Sequence, residues 1–251
     1  SVSFFDIFKM FPSAKPSLAH LLGLLPAMKW RLYSIANSAD YTPGVIELTV
    51  VINQWPSKGG LKTGTSTKYI QKLKVGDRIA ATMTNGTFTF PKDDRTPMVM
   101  TGLGTGIAPI RSFVQDRMYK KTVLKKEVGP MVVFYGCRHE REEFFYKEEW
   151  ELYKKEGVLT TLINAFSHDK PHYPPKMIFV NQRMEENTRL LGDLLGKQGG
   201  YFYMCGLAVA VPGIDKALKG AMVAEGVCTK QGEDAWMAKM KESGRYSQES
   251  Y

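Results

Sequence analysis

Gly102-Leu103-Gly104-Thr105-Gly106-Ile107-Ala108-Pro109 is the stretch whose reading decides the fold. It follows a short apolar run, Met98–Thr101, that reads as a buried strand, and it opens a helix expected from about Ile110 to Tyr119. That context matters, because a helix N-terminus offers free backbone N–H groups and the positive end of its dipole to a phosphate. The glycine order differs from G-x-G-x-x-G, but the full string G-x-G-T-G-x-A-P is far more specific than a lone glycine loop. Downstream, apolar strands expected at Met131–Tyr135, Val158–Asn164, Met177–Val180 and Tyr201–Met204 alternate with helices, including a charged one near Glu142–Glu156. Such alternation predicts a doubly wound α/β domain with a parallel sheet over residues 96–251.

Upstream the texture changes. Val45–Ile52 alternates, with Ile46, Leu48, Val50 and Ile52 on one face, and turn signals follow at Pro56–Gly60, Gly76-Asp77 and Asn85-Gly86. Several short strands with such turns predict a small antiparallel β-barrel over 28–95, interrupted by a helix at Thr67–Leu73. Residues 1–27 read as helical, with Phe4, Phe5, Ile7, Phe8 and Phe11 on one face, the pattern repeated by Leu18, Leu21, Leu22 and Leu25. This apolar segment and the missing initiator methionine lead us to expect a domain cut from a longer polypeptide.

The chain has 251 residues, 43% of them hydrophobic and 24% charged, as in an ordinary globular protein. No apolar run has the length of a membrane helix; tethering through upstream sequence stays open. Three cysteines without ligand-like spacing argue against disulfides or zinc and fit a reducing compartment, cytoplasmic or organellar. The net charge of +9, with basic clusters at Lys120–Lys126 and Lys147–Lys155, reads either as solvated surface or as attraction for phosphate-rich ligands or an acidic protein. Nucleic acid is disfavoured, since the chain has no aromatic-interleaved basic platform of the type single-strand binders use.

Four further motifs carry chemistry. In Arg31-Leu32-Tyr33-Ser34, arginine can grip a pyrophosphate with two donors and a tyrosine ring can pack on a flat cofactor. Gly64-Thr65-Ser66-Thr67 opens a helix, an anion site or an ordinary N-cap, and Trp55 beside it could stack on a base or simply pack. Tyr203-Met204-Cys205-Gly206 ends a strand where the crevice of an open α/β sheet should lie; a lone buried cysteine there could equally be inert core, the reading given to Cys137 and Cys228. The chain ends on Glu249-Ser250-Tyr251, which suggests a ring laid over a planar cofactor.

Together, in this order and along nearly the whole chain, these motifs resemble the ferredoxin–NADP reductase superfamily. The match is best to the C-terminal half of the diflavin reductases, the group of NADPH–cytochrome P450 reductase and sulfite reductase flavoprotein. The resemblance implies FAD held by Arg31 at the phosphates, Tyr33 at the ring, Ser34 near N5, Gly64 and Thr67 at the pyrophosphate, and Trp55 at the adenine. It implies NADPH phosphates over Gly104, Thr105, Gly106 and Ala108, with Arg138 holding the dinucleotide. Ser167, Lys176 and Asn181 approximate the 2′-phosphate set, although His168 stands where the family has arginine. Ser34, Cys205, Glu249 and Tyr251 are the implied hydride-transfer residues, with Leu207 replacing a common aspartate. The implied activity is hydride transfer from NADPH to FAD, then single electrons to an FMN-binding domain or an acidic flavodoxin- or ferredoxin-like partner. A stand-alone ferredoxin or flavodoxin reductase and a non-catalytic basic binding module are the alternatives.

Overall fold

A computed structural model describes residues 2–169 and 177–251. Contacts divide the chain into two units, one ending at Leu32 and one running from Tyr33 to Tyr251. The first holds helices α1 (Phe4–Met10) and α2 (Leu18–Leu24), capped by Ser3 and Ser17, with no buried residue in either. The continuous helical segment expected here is broken because Pro12 and Pro16 lie between the two stretches and cannot donate helical hydrogen bonds.

The second unit is organised by a five-stranded, all-parallel sheet of β3 (Met98–Leu103), β4 (Met131–Cys137), β5 (Thr161–Phe166), β6 (Tyr201–Gly206) and β7 (Tyr246–Ser250). Ahead of it stand a hairpin, β1 (Gln54–Ser57) and β2 (Gly60–Thr63), and helix α3 (Thr65–Lys72). The sheet order is β5-β4-β3-β6-β7. Helices α4 (Ile107–Thr122) and α6 (Lys147–Lys155), the latter after a short α5 (Glu140–Glu143), cover the face bearing Met98, Met100, Val133, Tyr135 and Tyr203. The other face, with Val99, Val132, Phe134, Phe202 and Met204, lies under α7 (Val180–Glu185), α8 (Thr188–Leu191), α9 (Val211–Ala224) and α10 (Glu233–Glu242). Burial on both faces explains why β3 and β4 read as unbroken apolar runs.

One expected strand is corrected, one strand was not expected, and the expected barrel is shown only in part. The strand expected at Met177–Val180 is the entry to α7: the Gln182 side chain accepts the Phe179 N–H at 2.8 Å and caps a helix instead. The fifth strand, β7, is a polar edge strand from the terminal motif, with no apolar alternation to announce it. The antiparallel barrel over 28–95 is represented only by the β1–β2 hairpin and an isolated bridge between Ile35 and Leu48. Val45, Ile46 and Val51 are exposed, and Arg31–Ser34 is irregular. The segment is held to the sheet domain by side chains: Phe88 and Phe90 pack on Phe113, and the Tyr203 hydroxyl donates to the Thr89 carbonyl at 2.7 Å. Among the described residues, no helix is long and apolar enough to cross a membrane.

Candidate active site

Strand order reverses between β3 and β6, and from their shared edge the chain leaves in opposite directions. One route is the Gly104–Gly106 turn into α4, the other Leu207 and a short turn into α9. Open α/β sheets hold ligands in the crevice at such a switch point. The glycines make the crevice possible: a Cβ on Gly106 would lie 2.1 Å from the Cys205 carbonyl oxygen, so only glycine lets the loop rest on the β6 backbone. Gly104 has φ +54° and open space where a Cβ would stand. Ala108 is buried in the first turn of α4, which has no side-chain cap at its N-terminus. Bare backbone, open space and an uncapped dipole fit a dinucleotide pyrophosphate.

The terminal tyrosine lies across this loop. The Tyr251 N–H donates to the Gly206 carbonyl at 3.1 Å, and its own carbonyl accepts from Ala208 N at 3.1 Å. The phenol hydrogen-bonds with the Thr105 hydroxyl at 2.9 Å, and burial raises its pKa above the ordinary value.

Cys205 is 2% exposed. Burial pushes its thiol up to about 12, the Glu249 carboxylate adds to that, and the neighbouring Ser34 side chain opposes it. It is therefore a neutral thiol at physiological pH, not a thiolate nucleophile. Glu249 is its register partner on β7, and the Glu249 carboxylate accepts from the Thr87 N–H at 3.1 Å and hydroxyl at 2.9 Å. Ser34, Cys205, Glu249 and Tyr251 thus meet at one sheet edge. Thr87 belongs with them; nothing in the sequence around it signals this.

The flavin motifs also meet. The Tyr33 hydroxyl bonds with the Ser66 hydroxyl at 2.8 Å, joining the first motif to the Gly64–Thr67 turn. Gly64 N–H donates to the Asn53 carbonyl at 2.8 Å, the Thr67 hydroxyl closes onto the Gly64 carbonyl at 3.2 Å, and α3 has no side-chain cap. Trp55, on β1, is exposed. Arg31 belongs to the N-terminal unit, where its guanidinium donates to the Lys29 carbonyl at 3.1 Å.

At the ends of β4 and β5, Ser167 N–H donates to the Cys137 carbonyl and His168 N–H to the Arg138 carbonyl, bringing Arg138, Ser167 and His168 together. Ser167 also bonds the His168 ring at 2.8 Å. Arg138 is engaged by Glu143 through Nε at 2.7 Å, through Nη2 and through its backbone N–H at 3.0 Å. Burial resists ionisation of Glu143, but those bonds hold its carboxyl below the ordinary range. His139, paired with Asp169 at 3.0 Å, completes the cluster. Asn181 does not join it; its side chain faces Gly213 at the start of α9. Lys176 lies outside the described residues.

A glycine loop at a sheet switch point, with a flavin-type motif in the preceding segment, is the frame of a flavin- and nicotinamide-nucleotide-binding protein. Residues 1–69 match the family described as FAD binding domain, and residues 100–214 match the Oxidoreductase NAD-binding domain. The chain is 36% identical to the sulfite reductase [NADPH] flavoprotein component of Saccharomyces cerevisiae over 98% of its length and 24% of that protein. It is 34% identical to the pyruvate dehydrogenase [NADP(+)] of Cryptosporidium parvum, covering 99% of this chain and 14% of that one. Identity to the NADPH–cytochrome P450 reductase of Musca domestica is 32%, over 94% of this chain and 35% of the other. The chain therefore spans about a third or less of these relatives. It belongs to the ferredoxin–NADP reductase superfamily, as an FAD- and nicotinamide-nucleotide-binding module of the diflavin reductase type.

Proposed function

We propose that this module takes hydride from NADPH at the β3–β6 crevice and delivers electrons through FAD to a redox partner. The nearness of Ser34 to Cys205, together with the Thr87 hydrogen bonds to Glu249, the register partner of Cys205, supports the reading, because both tie the segment with the flavin-type motif to the β6–β7 edge. Bound FAD supplies the conversion of a two-electron hydride into electrons released singly. The chain's residues supply the rest. The Gly104–Gly106 turn and α4 hold the dinucleotide phosphates, while Tyr33, Gly64 and Thr67, with Trp55, hold FAD. Cys205 and Ser34 set the approach of the two rings, and Glu249, fixed by Thr87, supplies negative charge beside them. Tyr251 covers the crevice until nucleotide enters.

Preference for NADPH over NADH is assigned to Ser167, Arg138 and Lys176, with His168 as a weaker phosphate ligand than the arginine it replaces. The electron acceptor is an FMN-binding domain or an acidic flavodoxin- or ferredoxin-like protein, which the net charge of +9 would attract. The purified protein should be yellow and release FAD on denaturation. Release of FMN alone would overturn the reading.

A further inference from the structure

We propose that Arg111 is a positioning residue for hydride transfer: it hangs the flavin-side segment 34–47 on the same helix that the nucleotide loop opens. The inference rests on the functional reading above and adds a residue that no motif contains. Arg111 sits one turn into α4 and is 6% exposed. Its Nε and Nη2 donate to the two carboxylate oxygens of Glu149 on α6, at 2.8 and 2.9 Å. Its Nη1 donates to the Ala36 carbonyl at 2.9 Å and to the Glu47 carboxylate. The guanidinium also lies over the Tyr146 ring, 4.3 Å from its centroid. Burial works against its charge, but Glu149 and Glu47 more than offset this and hold its pKa above the ordinary value.

One turn further along α4, the Gln115 side chain accepts the Ser38 N–H at 2.9 Å. Across the segment, Ala36 N–H donates to the Glu47 carbonyl at 2.8 Å, and Asn37 binds the Val45 carbonyl and the Glu47 N–H at 3.0 and 2.8 Å. Residues 36–47 therefore close on themselves and are attached to α4 through Arg111 and Gln115. Ser34, close enough to Cys205 to influence its thiol, stands two residues before Ala36, at most about 7 Å of chain away. The short connection means that the anchoring of Ala36 limits where Ser34 can stand. Lysine at 111 would keep the charge but could not hold Glu149, Glu47 and Ala36 together, because only the guanidinium presents donors in a planar fork.

The test uses Arg111→Lys and Glu47→Gln, the second removing one arm at a partly exposed carboxylate. In protein stripped of FAD, maleimide labelling of the Cys205 thiol, read by mass spectrometry, should rise at least about tenfold in Arg111→Lys and less in Glu47→Gln. Labelling of Cys137, buried at the end of β4, should stay at the parent rate in both. In FAD-loaded protein, the rate of flavin reduction at saturating NADPH should fall about tenfold in Arg111→Lys, within the range expected for sub-ångström misplacement, while NADP⁺ affinity holds. A Cys205 thiol as shielded in Arg111→Lys as in the parent would overturn the inference. So would Cys137 labelling that rises in step, because Arg111 would then support the fold alone. A parent that binds FAD but is not reduced by NADPH would overturn the functional reading instead, a result distinguishable from either.

Discussion

The sheet domain and the flavin-side segment 33–95 answer the same question differently: how is a cofactor surface kept in place? In the sheet domain every strand except the edge β7 carries its signal locally, and Met98, Val99, Met100, Met131, Val132 and Val133 have no exposed surface at all. The glycine loop is fixed because the strands beneath it are fixed. In the flavin-side segment, Val45, Ile46, Leu48 and Val51 remain exposed, and order comes from side chains reaching across to α4, α6 and β6. Antiparallel pairing between distant segments is not announced by local pattern, and this region leans on its neighbour. The glycine loop is thus built on a core, while the segment with the flavin-type motifs is built by attachment.

The largest effects should break that contrast directly. Gly106→Ala forces a Cβ to within 2.1 Å of the Cys205 carbonyl, so NADP⁺ affinity should fall at least about a hundredfold, about 2.8 kcal/mol. Gly104→Ala meets no neighbour and faces only its left-handed backbone, at about 1 kcal/mol. Thermal unfolding and NADP⁺ titration would separate the two; equal losses would show that the loop does not rest on β6. FAD at a hundred times its Kd should add up to about 2.7 kcal/mol of hydrogen-exchange protection. If the flavin side is ordered by attachment, the gain falls mainly on 33–95, and uniform protection would erase the contrast.

A smaller effect concerns the nucleotide itself. NADPH should exceed NADH in kcat/KM by at least about tenfold, about 1.4 kcal/mol, if Ser167 and Arg138 receive the 2′-phosphate; equal efficiencies would show that His168 and the Arg138–Glu143 pair have relaxed the site. Smaller again, Tyr251→Ala should tighten NADP⁺ by roughly 0.5–1.5 kcal/mol, the worth of a stacked ring, and narrow the NADPH/NADH ratio. Tyr251→Phe loses only the phenol's bonds, to the Thr105 hydroxyl and a longer one to the Leu103 carbonyl, about 0.5 kcal/mol. No tightening in the alanine variant would mean the ring does not compete with nucleotide.

Sequence alone carried the parallel sheet far, because apolar runs such as Met131–Val133 need no context to be read as buried strands. It also carried the meeting of Ser34, Cys205, Glu249 and Tyr251, through motif wording. It missed β7, whose Tyr246-Ser247-Gln248-Glu249-Ser250 is polar because an edge strand is half wet. It misread Met177–Val180, where a capping glutamine outweighed the apolar letters. Arg111 was invisible for another reason: its partners Ala36, Glu47 and Glu149 are 38 to 75 positions away, and no local pattern links them.

The central claim is that nicotinamide and flavin meet at the Ser34–Cys205 contact. Rapid anaerobic mixing of NADPH with the FAD-loaded protein and its Cys205→Ala variant tests it most directly. The account predicts that the variant keeps its FAD and its NADP⁺ affinity but bleaches at least about tenfold more slowly, about 1.4 kcal/mol in the barrier. A variant that bleaches at the parent's rate would contradict it and return this thiol to the packing of the sheet.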